Sequence, residues 1–220
     1  VEQTERHGVY IVGYTDGTFG PSRSMTRAEA AAIFARLLAE KNGDTISTAA
    51  NTKFADIPAH AWYSGYVKYL SNNGITYGKS KTVFAPNDAI TRAEFTTMAV
   101  RFFDVYGDGD AEIMEQFSGF NDVSSGYWAA EYIKYAALHG WINGYGDGSF
   151  HADREINRAE VVTIVNRLLG READEAYIAD NLRKLNTFPD VSRKHWAYYA
   201  VMEAANAHTA VLGESESWSK

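Results

Sequence analysis

The chain has 220 residues and a formal net charge of −7 at pH 7. Without a basic excess to displace phosphate counterions it lacks the footprint of a nucleic-acid-binding protein, and an anionic ligand would need a local basic pocket. It contains no cysteine, which excludes disulfides and thiolate metal sites. Its 14 Tyr, 11 Phe and 5 Trp suit core packing and stacking on sugar rings.

The first residues are polar and lead into a loop with strong turn signals. Val1 is not an initiator Met, so we expect a mature or excised fragment, and no signal peptide or run of about eighteen apolar residues is visible. We therefore expect no membrane insertion. In residues 13–21, the pairs Asp16-Gly17 and Gly20-Pro21 mark turns.

A four-residue motif then starts a helix and occurs three times, as Thr26-Arg27-Ala28-Glu29, Thr91-Arg92-Ala93-Glu94 and Asn157-Arg158-Ala159-Glu160. Thr or Asn followed three residues later by Glu is a capping box, in which each side chain binds a backbone N–H of the other residue. Apolar residues at helical spacing follow each box and predict a helix with one buried face.

The arginine of each box needs a separate explanation, because the helix dipole disfavours a cation at the first helical position. Two interpretations stay open at this point. The arginine is either solvated or paired with a nearby Asp, or it forms an anion site with the free N–H groups of the helix start.

A second motif alternates with the boxes. Residues 40–53 form a polar connector, and the motif follows as Phe54-Ala55-Asp56-Ile57-Pro58 before Trp62, Phe120-Asn121-Asp122-Val123 before Trp128, and Phe188-Pro189-Asp190-Val191 before Trp196. Each Trp begins a further helical pattern. We expect Asp56, Asp122 and Asp190 to be structural residues that cap these helices.

The repeats predict the fold. The boxes lie 65 and 66 residues apart, and the Trp residues lie 66 and 68 apart, so each unit is a supersecondary element that cannot bury its apolar face alone. We expect an all-α, three-lobed pseudo-threefold arrangement of helix–loop–helix units, with one lobe closed by the two chain ends. Connectors 104–119 and 170–187 hold helical patterns and predict extra helices.

The expected divisions are a first half-unit with its connector at 1–53, a second unit at 54–119, a third unit at 120–187, and a terminal half-unit with the tail at 188–220. Because the first and last half-units are complementary, we expect residues 188–205 to pack against the box helix of residues 26–39.

In cyclic order, Phe-x-Asp-(Val/Ile), a Trp six residues beyond the Asp, Gly-Tyr-x-Asp-Gly-x-Phe and Thr-Arg-Ala-Glu resemble S-layer homology (SLH) modules over nearly the whole chain. The resemblance implies a triplicated module of bacterial surface proteins, outside the cell in the cell wall or S-layer. It implies non-covalent binding of secondary cell-wall polysaccharide in grooves between modules, often at a pyruvylated N-acetylmannosamine residue. We expect no cofactor, and a monomer for the isolated fragment.

The resemblance also implies candidate ligand-binding residues. By position these are the box arginines and the loop Asp-Gly pairs, to which we add the three Trp side chains as stacking surfaces: Arg27, Arg92, Arg158, Asp16, Gly17, Asp147, Gly148, Trp62, Trp128 and Trp196.

The second unit departs from the pattern, because residues 77–84 lack Asp-Gly, although Lys79 or Lys81 could bind an acid. We therefore expect Arg27→Ala and Arg158→Ala to weaken glycan binding more than Arg92→Ala, with little effect on stability.

Other chemistries have less support. The loops at Asp16, Asp108 and Asp147 lack the alternating oxygens and twelfth-position Glu of an EF-type calcium site and are interpreted as turns. The six His show no paired helical spacing, so no metal site is expected. The repeated box Glu residues do not form the unique carboxylate pair of a glycosidase, and no other catalytic motif is visible. We expect no enzyme; a carbohydrate-binding anchor is favoured, with a protein–protein interaction module as the alternative.

Overall fold

The computed structural model describes residues 3–107, 117–213 and 215–219. It divides into two compact units, one formed by Ser24–Ile156 and the other by Val1–Arg23 together with Asn157–Lys220. Among the described residues, no helix combines the length and the apolar character needed to cross a bilayer.

The unit Ser24–Ile156 contains the helices α1 (Arg27–Asn42), α2 (Ser64–Asn72), α3 (Arg92–Tyr106) and α4 (Ala130–Leu138). Helix α1 packs on α2 and on α3, and α3 packs on α4. Between α1 and α3, the ring of Phe34 lies 5.3 Å from that of Phe95 and 4.9 Å from that of Phe102, and all three side chains are fully buried. Burial of each such ring stabilises the fold by roughly 1.5–3 kcal/mol.

All three predicted capping boxes are confirmed. Thr26, Thr91 and Asn157 have extended backbone, and each side chain accepts a hydrogen bond from the N–H of the Glu three residues later. The Glu carboxylate in turn accepts the N–H of the capping residue at 2.8–3.1 Å. The boxes therefore start α1, α3 and the first helix of the other unit.

The second unit combines helices with a small sheet. It contains α5 (Arg158–Leu169), α6 (Glu175–Asn181) followed by a 3-10 turn at Leu182–Lys184, and α7 (Tyr198–Ala205). Strands β1 (Gln3–His7), β2 (His208–Leu212) and β3 (Ser217–Ser219) form an antiparallel sheet in the order β1-β2-β3.

The all-α prediction is therefore wrong. The N-terminal segment pairs with the segment after α7, in a register that places His7 opposite His208 and Gln3 opposite Leu212. These strands have three to five residues, and β1 and β3 carry mostly polar, exposed side chains. Such segments give almost no alternating apolar pattern, and their pairing depends on two chain ends meeting in space.

Two expectations about helices have different outcomes. Helix α7 packs on α5; packing of residues 188–205 against the box helix of residues 26–39 would join the two units and stays a prediction. The extra helix in connector 170–187 is confirmed as α6. The corresponding pattern in connector 104–119 falls largely on residues 108–116, which lie outside the described residues, as does Asp108.

Candidate functional site

The three box arginines are buried and hold the loops of the repeat. Arg27, Arg92 and Arg158 are only 4–5% exposed. Their Nε atoms donate to the carbonyl oxygens of the Phe that ends each loop: Phe84 at 2.7 Å, Phe150 at 2.9 Å and Phe19 at 2.8 Å respectively. Solvation of these arginines is therefore excluded, and their first role is to tie a loop to a helix start.

The N–H groups at the helix starts are also occupied. The N–H groups of Arg27 and Ala28 donate to the carbonyls of Asp88 and Pro86 at 2.9 Å each. The equivalent groups of α3 and α5 donate to backbone carbonyls in the same way. The anion site built on free N–H groups is therefore wrong, because loop carbonyls already accept those hydrogen bonds.

Each arginine contacts a loop far from it in the sequence. Arg27 holds the loop that ends at Phe84, and this is the loop that lacks Asp-Gly. Arg92 holds the complete loop 144–150, where its Nη2 also donates to Asn143 at 3.1 Å. The expected order of binding losses assumed that Arg92 served the incomplete loop, and that premise is wrong.

Aromatic rings cover two of the guanidinium groups more completely than the third. Arg92 lies 5.2 Å from the ring of Tyr145, and Arg158 lies 4.7 Å from the ring of Tyr14, in addition to the Phe that each contacts. At the equivalent loop position beside Arg27 the residue is Lys79. The Arg27 site thus exchanges an aromatic ring for a second cation.

The motif aspartates accept hydrogen bonds from the backbone of the same loops. Asp122 accepts the N–H groups of Phe150 and His151, each at 2.7 Å. Asp56 binds the N–H groups of Phe84 and Ala85, and Asp190 those of Phe19 and Gly20, in the same way. The predicted structural role stands, but the predicted capping role is wrong, since α2, α4 and α7 have no side-chain cap.

This contact supports an unusual backbone conformation. The residue after the loop Phe has a positive φ in all three repeats: +68° at Gly20, +58° at Ala85 and +54° at His151. Residues other than glycine rarely adopt this left-handed backbone conformation, which costs them on the order of 1 kcal/mol or more. The aspartate fixes the N–H of the strained residue, so the loop shape is built into the fold.

The Asp-Gly pairs form tight turns at the loop tips. Asp16 Oδ1 accepts from the N–H and hydroxyl of Thr18 at 2.9 and 2.7 Å, and Asp147 binds Ser149 in the same way. Gly17 and Gly148 have φ values of +83° and +81°. These hydrogen bonds lower the pKa of both carboxyl groups. The two predicted Asp-Gly sites are thus exposed turns whose carboxylates already bind their own loops.

A groove of about 380 Å³ opens beside Arg27 in the unit Ser24–Ile156. We call it the Arg27 groove; its walls include loop residues Ile75–Lys79, residues of α3, and Trp128. Three cationic side chains line it, namely Arg27, Lys79 and Arg101, together with the single carboxylate of Glu94. Arg27 Nη1 lies 3.2 Å from Glu94 Oε2, and Lys79 Nζ lies 3.9 Å from the other oxygen.

The three candidate Trp side chains are surface residues. Trp62, Trp128 and Trp196 are 54–65% exposed. Only Trp128 belongs to the walls of the Arg27 groove. Tyr77 stands at the same groove and is also more than half exposed.

Comparison with known proteins identifies this architecture. The family model of the S-layer homology domain matches the chain three times, at residues 1–31, 53–96 and 119–162. The chain belongs to the S-layer homology family. Each match includes one loop and one capping box, and the second and third matches also include a Trp motif.

Relatives of this SLH chain include Cell surface glycoprotein 1 of Acetivibrio thermocellus, 34% identical over 218 residues that cover 96% of the chain and 9% of that protein. The Cellulosome-anchoring protein of the same organism is 31% identical over 96% of the chain and 45% of its own length. S-layer protein EA1 of Bacillus anthracis is 28% identical over 77% and 19%. The chain thus spans less than half of each of these relatives. They confirm the predicted location at the bacterial cell surface.

Sequence reasoning missed part of the groove of the SLH chain. Arg101 lies in the third turn of α3, where its guanidinium sits 4.8 Å from the ring of Tyr77 and donates to the hydroxyl of Tyr132. Thr97 also lines the groove, and its buried hydroxyl has no hydrogen-bond partner within the described residues. Both residues follow Arg92-Ala93-Glu94 on one helix, so their helical spacing from Glu94 was the available signal.

Proposed function

We propose that this SLH chain anchors a bacterial surface protein to the cell wall, without a covalent bond, by binding secondary cell-wall polysaccharide. Membership of the S-layer homology family supports this function, as do relatives whose names describe cellulosome anchoring and S-layers. The chain then acts as a binding module and not as an enzyme.

The charge of the Arg27 groove is the observation that carries the proposal. Three cations face one carboxylate there, in a chain whose net charge is −7. Lys79 has a side chain 41% exposed and pairs with Asp88 at 3.3 Å at the surface, while Arg27 is committed to Phe84 and Glu94. A concave site with this balance favours a ligand that carries an acid group.

The groove also offers the contacts that a sugar ring needs. Trp128 and Tyr77 expose aromatic surface at the groove, and the Thr97 hydroxyl lies buried in its wall. A volume near 380 Å³ lies at the small end of ligand pockets and suits one or two sugar residues. Apolar ring faces and a few polar groups together are typical of carbohydrate recognition.

The ligand we propose is a pyruvylated N-acetylmannosamine unit of the wall polysaccharide. Its single carboxylate would lie between Lys79 and Arg101, its ring against Trp128, and a hydroxyl near Thr97. The family resemblance suggests this sugar, and the acid-binding chemistry of the groove supports it. Arg27 would hold Glu94 and the loop in position beneath the sugar.

The other two arginine sites are proposed as secondary contacts along the same polymer. Around Arg158 the available groups are Tyr14 and the Asp16-Gly17 turn, and around Arg92 they are Tyr145 and the Asp147-Gly148 turn. Trp62 and Trp196 add exposed aromatic surface for further sugar residues.

Co-sedimentation with purified cell-wall sacculi tests this function. We expect the chain to pellet with intact sacculi and to stay in solution after the wall polysaccharide has been chemically removed. Lys79→Ala should weaken binding by about 5- to 100-fold, the loss of one charged hydrogen-bonding partner. Lys81→Ala is the matched control, because this exposed lysine of the same loop lies outside the groove walls.

The result also decides between the two functional classes. Undiminished binding to stripped sacculi would contradict the glycan anchor and favour a protein–protein interaction module. Equal losses for Lys79→Ala and Lys81→Ala would contradict the assignment to the Arg27 groove, since they would reflect a general charge effect.

A further inference from the structure

Two histidines and two glutamates meet inside the unit that contains the sheet. His7 ends β1, His208 begins β2, Glu203 lies on α7 and Glu216 directly precedes β3. All four side chains are at most 4% exposed. One oxygen or nitrogen of each lies within 4.8 Å of the others. The cluster shares no residue with the arginine sites of the proposed function.

Four nitrogen–oxygen distances in the cluster are close to the edge length of a zinc-coordination tetrahedron, and all four ligand atoms lie within 4.8 Å of one another. His7 Nδ1 lies 3.2 Å from Glu203 Oε1 and 3.3 Å from Glu216 Oε1. His208 Nε2 lies 3.2 Å from Glu216 Oε1 and 3.3 Å from Glu203 Oε2. Four ligands placed about 2.0–2.1 Å from a zinc ion are separated from one another by roughly 3.3–3.4 Å.

The orientation of His208 presents a metal-binding nitrogen to the cluster. Its Nδ1 lies 2.9 Å from the carbonyl oxygen of Asn206, which can only accept, so Nδ1 carries a proton. In the neutral ring the lone pair of Nε2 then points at Glu203 and Glu216. A histidine fixed by a backbone carbonyl on its other nitrogen is the usual second-sphere arrangement of a metal ligand.

Glu203 supplies an independent observation. Its side chain has no exposed surface, and among the described residues its Oε2 has no hydrogen-bond partner, since the contact with His208 lacks hydrogen-bond geometry. An ionised oxygen buried without a donor is costly. A cation at the centre of the four ligands would remove that cost and would balance the two carboxylates.

The geometry points to a structural zinc site formed by His7 Nδ1, His208 Nε2, Glu203 and Glu216. Calcium and magnesium prefer oxygen ligands, so a site with two imidazole nitrogens favours neither of them. Two nitrogen and two carboxylate ligands in a small cage are typical of Zn²⁺. Four buried protein ligands leave no open position for a substrate. The ion would join β1, β2, the start of β3 and α7, and so connect the two ends of the chain.

The surroundings favour a fixed cage. The ring of Trp218 stacks on His208 at 3.8 Å, and its Nε1 donates to Glu216 Oε1 at 3.1 Å. Glu216 Oε2 accepts the N–H of Glu172 at 2.9 Å. These contacts orient two of the four ligands before any ion binds, which is the arrangement that strengthens metal affinity.

The local spacing of the histidines in the sequence does not indicate a metal site. The ligands at 7, 203, 208 and 216 approach one another through the pairing of β1 with β2. In the alternative arrangement no metal is bound, and each histidine carries a proton on the nitrogen that faces the two carboxylates. Metal binding distinguishes the two arrangements directly.

The test uses the full chain stripped of metal with a chelator. We expect isothermal titration calorimetry with Zn²⁺ to show that one ion binds per chain. The melting temperature should increase by several degrees with Zn²⁺ but not with Mg²⁺ or Ca²⁺. Co²⁺ should give the visible absorption of a tetrahedral site, which needs no variant. Glu203→Gln with Glu216→Gln should reduce Zn²⁺ affinity by more than about 100-fold.

His60→Ala is the matched control, since His60 is exposed and outside the cluster, and it should bind Zn²⁺ like the unaltered chain. A folded, metal-free chain that neither binds nor is stabilised by Zn²⁺ would overturn the site. An octahedral Co²⁺ spectrum, or full Zn²⁺ binding by the double Glu variant, would overturn the ligand assignment. Retention of wall binding without zinc would leave the anchoring function intact.

Discussion

Replacing Arg92 with Ala should destabilise the fold, although the sequence analysis expected little effect on stability. Arg92 is 5% exposed, and its guanidinium donates to the carbonyls of Phe150 and Asn143 at 2.9 and 3.1 Å. It also lies 4.5 Å from the ring of Phe150. The substitution removes both donors and leaves a cavity between α3 and loop 144–150.

The magnitude follows from these contacts. The buried carbonyl of Phe150 left without its donor costs about 1–3 kcal/mol, the carbonyl of exposed Asn143 costs less because water can replace the donor, and the lost cation–π contact adds about 0.5–2 kcal/mol. Release of a buried charge into water offsets part of this sum. We expect a net loss of about 2–4 kcal/mol in the free energy of unfolding. Arg92→Lys should recover less than half, because one ammonium group does not span both carbonyls.

Urea unfolding followed by circular dichroism measures the difference from the midpoint at constant m. Arg101→Ala on the same helix is the matched control, since Arg101 is part-exposed and, among the described residues, donates only to Tyr132 of α4; it should cost less than about 1 kcal/mol. A loss below about 0.5 kcal/mol for Arg92→Ala, which is the error of such measurements, would refute a loop-holding role.

Four further predictions concern the loops and the chain ends. Asp122→Ala should lower the free energy of unfolding by about 1–3 kcal/mol, because the N–H groups of Phe150 and His151 lose their acceptor; urea unfolding within 0.5 kcal/mol of the unaltered chain, roughly the limit of additivity errors, would contradict this. Partial burial would raise the pKa of Asp122, but the hydrogen bonds from Phe150 and His151 outweigh burial and lower the pKa. The stabilisation by this carboxylate is therefore present above about pH 4 and is lost as the pH falls through the lowered pKa. If the free energy of unfolding of Asp122→Asn and of the unaltered chain fell equally with decreasing pH, this prediction would be wrong. Ala85→Gly should raise the melting temperature, because it relieves a positive φ, and a lower value would argue against strain. Cutting the chain after residue 187 removes α7 from α5 and β2 from β1, and unchanged cooperativity in calorimetry would contradict the packing described.

Local features were predictable from the sequence because their causes are local. A capping box needs only residues three positions apart, so α1, α3 and α5 begin where Thr26, Thr91 and Asn157 indicated. Repetition of the motifs at a constant period identified the family. The turn signal of Asp16-Gly17 corresponds to an observed turn.

Features that depend on distant contacts were not predictable in this way. Asp122 was predicted to cap the helix that follows it, but α4 begins at Ala130, eight residues later, and beyond the reach of a carboxylate. The carboxylate binds loop residues Phe150 and His151 instead. The sheet was missed because β1 and β2 are short and carry little apolar pattern.

The candidate site shows the same division. The sequence singled out Arg27 correctly as a residue that helix capping does not explain. It could not show that the Phe84 loop would lie against Arg27, or that Arg101 and Trp128 would complete the groove, because those contacts arise from packing among separate repeats. A helix start with a cation therefore indicates a tertiary contact rather than a ready anion site.

Calorimetric titration with two sugars that differ only in the acid group tests the central claim most directly. We expect the chain to bind pyruvylated N-acetylmannosamine and to bind unmodified N-acetylmannosamine at least about 10-fold more weakly, because the carboxylate meets Lys79 and Arg101. In a Lys79→Ala, Arg101→Ala double variant the two affinities should become equal. Equal affinities in the unaltered chain, or a preference for the acid sugar that persists in the double variant, would contradict recognition of an acidic wall sugar by the Arg27 groove.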